Sequence, residues 1–258
     1  MPYLIVITVI RYLYNMNKNL LTIKWLAILF IALSACQKED FTSPVTVNLK
    51  VELAEASLPH LHFDRGIVLF SQISFDGQRY QGGDVHFFTD RKNSIGPIQF
   101  ANKLAGFVKK FDIPQGVYSH KEWRFALDEI DDDYYESFGG EHMEDLDGGL
   151  IIKGTYTKQN GSQLPLYIVV DEDEDFKVTS QGIDGYGDIT LTTEKEHTAL
   201  LVFDPYYAMN TISIESLEAA KVSDEDDILY IEISSDENEA LYELVLFRLE
   251  KSVKVIIN

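Results

Sequence analysis

From Val45 to Leu53 every second residue is apolar: Val45, Val47, Leu49, Val51 and Leu53 alternate with Thr46, Asn48, Lys50 and Glu52. A period of two sends the two sets to opposite faces of an extended chain, so this stretch predicts a strand with one buried face. Gly66 to Phe75 and Val85 to Thr89 read as strands as well, with Asp76-Gly77 and Gly82-Gly83 as turn residues. Phe107 to Ile113 leads into Pro114-Gln115-Gly116, where proline presets φ at the second turn position and glycine frees the fourth. Tyr118 to Leu127 then resumes as a strand. Leu150 to Thr157 and Leu164 to Val170 flank Asn160-Gly161, a dipeptide suited to the two positive φ values of a type I′ hairpin turn. Phe176 to Thr179, Ile189 to Thr193 and Thr198 to Phe203 complete the set.

That is about nine short strands without a βαβ rhythm, which predicts a mainly β fold and favours a sandwich. Two helices are expected. One runs from Ser213 to Val222. The other, Asp236 to Ile256, follows Ser235 as a cap. Acidic residues (Asp236, Glu237, Glu239) lie near its start and basic ones (Arg248, Lys251, Lys254) near its end, which complements the helix dipole. Tyr242, Leu246, Leu249, Val253 and Ile256 would form its apolar stripe. A strand over Leu241 to Leu249 is the competing reading.

The apolar run Trp25 to Leu33 is about half the roughly 20 residues that a spanning helix needs. Behind Lys18 and Lys24 it reads as the core of a signal peptide. It closes on Leu33-Ser34-Ala35-Cys36, which resembles the lipobox of bacterial lipoproteins. The resemblance implies cleavage before Cys36 and acylation of that residue, and two or more acyl chains give stable anchoring. Gln37-Lys38-Glu39-Asp40 resembles the short charged signal that sends lipoproteins of Bacteroidota-type bacteria to the cell exterior. The expected organisation is a signal peptide over 1–35, a lipidated tether over 36–44 and a β-sandwich domain over 45–258. Translation is expected to start at Met16; the apolar Tyr3 to Ile10 read otherwise would make an N-terminal membrane hairpin.

The pattern Phe111-Asp112-Ile113-Pro114-Gln115-Gly116-Val117-Tyr118 resembles the P-x-G-x-Y turn of surface lipoproteins with prealbumin-like or immunoglobulin-like sandwiches. So does the order of strand, Phe203-Asp204-Pro205 and short helix. The resemblance covers most of residues 45–258. It implies such a sandwich with one short internal helix and a C-terminal helix, and it carries over no catalytic residue.

Acidic residues number 42 against 22 basic ones, a net charge of −20. The leader holds only basic charge (Arg11, Lys18, Lys24), so the remainder is more acidic still. Such a surface repels nucleic-acid phosphates and anionic membranes and attracts cations. Cys36 is the only cysteine, which leaves no disulfide within the chain and no thiol for catalysis or zinc in the domain.

Asp131, Asp133, Glu136, Glu141, Asp145 and Asp147 crowd a glycine-containing segment and form the candidate calcium set, since calcium takes six to eight oxygens. The spacing departs from an EF-hand loop, because Tyr134 stands where the turn glycine belongs. A solvated charged loop is the alternative. His60 and His62 would share a strand face, but no third metal ligand is identifiable. Trp123, Tyr134, Tyr135, Tyr206 and Tyr207 are candidates for stacking on a ligand, against ordinary core packing. No G-x-S-x-G, H-E-x-x-H, P-loop or G-x-G-x-x-G motif occurs, and the glycine-rich Gly182 to Asp188 lies between strands. The expectation is therefore a non-enzymatic, lipid-anchored outer-membrane protein, facing outward, that binds a glycan, a peptide or an envelope partner. A structural subunit of a fimbrial or envelope assembly is the alternative, and a hydrolase with an unrecognised carboxylate pair is the third reading.

Overall fold

The computed structural model describes residues 42–131, 134, 146–185, 187–225 and 227–258. Cys36 and the leader lie outside the described residues. In chain order the strands are β1 (Pro44–Leu53), β2 (Leu61–Arg79), β3 (Val85–Phe88), β4 (Ile95–Ala101), β5 (Gly106–Pro114), β6 (Gly116–Leu127), β7 (Leu150–Thr157), β8 (Gln163–Val170), β9 (Asp175–Thr179), β10 (Gln181–Gly182), β11 (Ile189–Leu191), β12 (His197–Phe203), β13 (Ser223–Glu225), β14 (Ile228–Ile233) and β15 (Lys254–Ile257). The helices are α1 (Pro205–Met209), α2 (Ile214–Glu218) and α3 (Glu239–Ser252).

The fold is mainly β, with two sheets in a sandwich-like arrangement. The smaller sheet has the order β10-β15-β12-β1-β5, and the larger runs β11-β6-β2-β7-β8-β14-β13 with β3 and β4 on β2 and β9 on β6. The alternation read in β1 holds: Val45, Val47, Leu49, Val51 and Leu53 are all buried. Aromatic rings join the sheets. Phe87 of β3 stacks on Phe111 of β5 at 5.0 Å, and Phe111 meets Trp123 of β6 edge-on at 5.7 Å. In the Pro114-x-Gly116-x-Tyr118 turn, the Tyr118 hydroxyl donates to the Pro114 carbonyl at 2.6 Å. Burial raises that phenol's pKa to about 12.

Several expectations are corrected. Asp76-Gly77 is not a turn, because β2 runs through it and pairs Gly77 with both Val85 and Lys121. A Cβ on Gly77 would sit 2.7 Å from the Phe75 and Tyr118 rings, so this glycine serves close packing. Asn160-Gly161 closes a hairpin, but not as type I′. Only Gly161 has positive φ, and the bonds Gly161 N–H to Lys158 O (2.9 Å) and Lys158 N–H to Ser162 O (2.8 Å) enclose a three-residue loop.

The C-terminal helix is shorter than expected at both ends. Ser235 does not cap it; the cap position is Asn238, in the left-handed region at φ 59°. At its far end Val253 leaves the helical region, and the β-branched Val255, Ile256 and Ile257 pair with β12 instead. The first helix, expected over Ser213 to Val222, ends at Glu218, and residues 223–225 beyond it form β13. A second short helix, α1, is capped by the Asp204 carboxylate, which accepts the Tyr207 N–H at 2.9 Å. Among the described residues, no helix is long and apolar enough to cross a membrane.

Candidate functional site

A strongly charged concavity lies where β8 and β14 end and β13 begins, beside the start of α3. It is a groove of about 750 Å³. Its residues come from four places: Asp147; Asp171, Glu172 and Asp173 just past β8; Lys221 to Asp224 leading into β13; and Tyr230, Glu232 and Ser234 to Glu237 on and after β14. The carboxylates greatly outnumber the basic side chains, of which Lys221 is the one in the lining.

Local hydrogen bonds set each wall. The Ser235 hydroxyl donates to Asp171 Oδ1 at 3.0 Å, and the Asp171 N–H reaches the Tyr242 hydroxyl at 3.5 Å. Ser234 N–H donates to Glu237 O at 2.9 Å, while Glu237 N–H donates to Ser234 Oγ at 3.0 Å. Lys221 Nζ is paired with Glu237 Oε1. Tyr230 is buried and packs edge-on against Tyr167 at 5.7 Å. The Asn238 carboxamide links the two sides: its Oδ1 accepts the Lys221 N–H at 2.8 Å, and its Nδ2 donates to Lys221 O at 3.1 Å and Glu232 O at 2.6 Å.

Burial raises the pKa of Glu232 above the ordinary carboxylate value, and Glu237 and Asp236 push it further; a bond from Ser234 and the charge of Lys221 oppose them. Glu174, close by, is raised by burial and by Asp173, Glu250, Asp171 and Asp175. Glu232 is thus held partly out of water within a groove of otherwise mostly exposed carboxylates, and their net negative charge attracts cations. A carboxyl with a raised folded pKa binds its proton more tightly folded than unfolded. Its relative contribution to stability is greatest below the unfolded value near 4.5 and is lost as pH rises through the folded value. Glu232→Gln is therefore expected to melt above the parent at pH 7 and to lose that advantage below about pH 4.5. Melting curves across pH 4–8 check this, and a variant that melts lower at pH 7 would reverse the assignment.

The residues singled out from sequence are distributed unevenly. Of the candidate calcium set, Asp147 lines the groove and Asp131 is exposed; Asp133, Glu136, Glu141 and Asp145 lie outside the described residues. Trp123 is 0% exposed within the aromatic core and has no face for a ligand. Tyr206 is also a core residue: it meets Phe63 edge-on at 5.1 Å, and its hydroxyl accepts the Phe63 N–H at 3.0 Å. Tyr207 is 44% exposed, with the Arg248 guanidinium 4.7 Å from its ring centre. Tyr134 is 46% exposed, and Tyr135 lies outside the described residues. His60 and His62 line a separate shallow cavity of about 420 Å³. Among the described residues, no three His, Cys, Asp or Glu side chains converge as metal ligands would.

No family model, no curated protein and no solved structure matches this chain. Function is therefore read from the chemistry of the site. The acidic run Asp171 to Asp175 is divided in the fold: Asp171 to Asp173 line the groove and Asp175 pairs with Arg124. Nothing in the local pattern marks Lys221, Glu232 and Glu237 as members of one site. The available signal was Ile228 to Ile233, rich in β-branched and aromatic residues, which marks the strand that carries Glu232.

Proposed function

We propose that this protein is a lipid-anchored, cell-surface binding protein whose acidic groove takes a basic, extended segment of a protein partner. The observation that carries the reading is the groove itself: separate carboxylates spread along about 750 Å³, with Glu232 partly withdrawn from water. Spread charges suit several ligand ammonium or guanidinium groups better than they suit one ion.

Binding of an oligolysine hexapeptide, followed by calorimetry with the full chain in detergent, tests this. The expected result is saturable binding that weakens with salt, because exposed charges are screened within about 10 Å at 0.1 M. Binding should also weaken as pH falls and Glu232 takes up its proton. Asp171→Asn combined with Glu232→Gln should lower the affinity by roughly tenfold. An affinity unchanged by that double variant would reject the groove. The anchor is tested separately: Cys36→Ser is expected to leave the membrane fraction, and full retention there would reject lipidation.

A further inference from the structure

A second surface lies away from the groove, where the turn after β2, the turn between β5 and β6, and the loop between β10 and β11 meet. These segments are cross-tied. Arg79 Nε donates to Gly83 O at 2.7 Å, its Nη2 to Gly82 O, and its Nη1 to Gln115 O at 2.9 Å. Tyr80 N–H donates to Val117 O at 3.1 Å. Lys121, only 3% exposed, sends its ammonium to Gly187 O at 2.5 Å. Burying an ammonium is unfavourable unless it is well bonded. Here that buried charge holds Gly187, a residue that would otherwise have wide backbone freedom, next to Asp188.

On this fixed base stands Tyr80, 66% exposed. Its backbone is bonded, and its hydroxyl donates to Asp188 Oδ1 at 3.3 Å, so the residue is held at both ends while most of its surface is exposed. The neighbouring Gly82 and Gly83 have positive φ, 88° and 79°, and a Cβ built on Gly83 would meet nothing within 4 Å. No side chain from that turn position covers the ring's flank.

We propose that this loop end is a carbohydrate-contact surface, with the Tyr80 ring stacking on the C–H face of a neutral pyranose and Asp188 accepting its hydroxyls. A pyranose has one face of C–H groups and a rim of hydroxyls. A fixed aromatic face with a carboxylate at its edge and open backbone beside it matches both parts. Tethering the ring before binding lowers the ordering cost of the complex. The surface is independent of the groove and of its basic partner.

The test is NMR titration of the full chain in detergent with a defined panel: hexasaccharides of glucose, mannose, galactose and xylose, each to millimolar concentration. At least one should shift the Tyr80 and Asp188 signals saturably. Tyr80→Ala should weaken that sugar about threefold to tenfold, the range of one aromatic contact. Tyr80→Phe keeps the ring and should weaken it less. Oligolysine binding in the groove should be unchanged in both variants. If no sugar of the panel binds, or if Tyr80→Ala binds it as the parent does, the proposal is overturned. Because Tyr80 is exposed, its alanine variant should fold, and an unchanged melting temperature verifies that.

Discussion

Trp123→Ala is expected to lower the unfolding free energy by about 3–5 kcal/mol, the range for removing a buried aromatic side chain. Trp123 is fully buried where the two sheets meet. Its ring centre is 4.8 Å from Phe75, 5.7 Å from Phe111 and 6.0 Å from Phe125. Its Nε1–H donates to the Ser180 hydroxyl at 3.1 Å, and that hydroxyl donates to Lys121 O at 3.2 Å. Alanine would leave a cavity among rigid rings that cannot collapse into it, and would strip Ser180 of a donor. For a domain of this size each kcal/mol moves Tm by about 2–4 °C, so a fall of roughly 6–20 °C is expected. Trp123→Phe keeps most of the volume and should lose much less. Urea unfolding followed by circular dichroism measures both. A loss below about 1 kcal/mol for alanine would mean that the aromatic cluster repacks freely, contrary to close packing.

Asn238→Ala is expected to cost about 2.5–5.5 kcal/mol and to abolish binding in the groove. The register Ser223 opposite Tyr230 places Lys221 opposite Glu232 as the antiparallel pair continues. The backbones do not meet there. The Asn238 carboxamide fills the gap, making three bonds to these two residues. Each such bond contributes about 0.5–1.5 kcal/mol, and a left-handed backbone at alanine costs roughly 1 kcal/mol more than at asparagine. Asn238→Gly keeps the φ of 59° without strain and should lose only the bonds. Asn238→Asp is informative in a different way. It can still accept the Lys221 N–H, but it turns a carboxylate oxygen toward two carbonyls, so it should be no better than alanine. Equal stability of the parent and all three variants would show that the walls are held by something else.

How much of this was legible in the chain differs between elements for physical reasons. The alternation of β1, the hairpin at Asn160-Gly161 and the Pro114–Tyr118 turn are local: the residues that make them lie within about ten positions of one another, and side-chain period and turn chemistry suffice. The ends of α3 were misread because its charge gradient continues past Ser252, while the choice between helix and strand there depends on β12 offering an edge to Val255 and Ile257. Trp123 and Tyr206 were read as ligand-facing candidates because an aromatic residue looks the same in sequence whether its ring faces a core or a ligand.

By itself, then, the sequence determined the mainly β class, the strong negative charge, the absence of disulfides within the domain, and most strand positions, since these depend on composition and short-range periodicity. Only the tertiary structure decided where the charge becomes a site. Asp147, Asp171, Lys221, Glu232 and Glu237 meet in one groove because β8 and β14 pair in parallel and Asn238 ties β14 to the segment before β13. Tyr80 faces Asp188, 108 positions away, through the fixed loops at the other site. Such meetings are set by strand pairing between distant segments, and no short-range pattern encodes them.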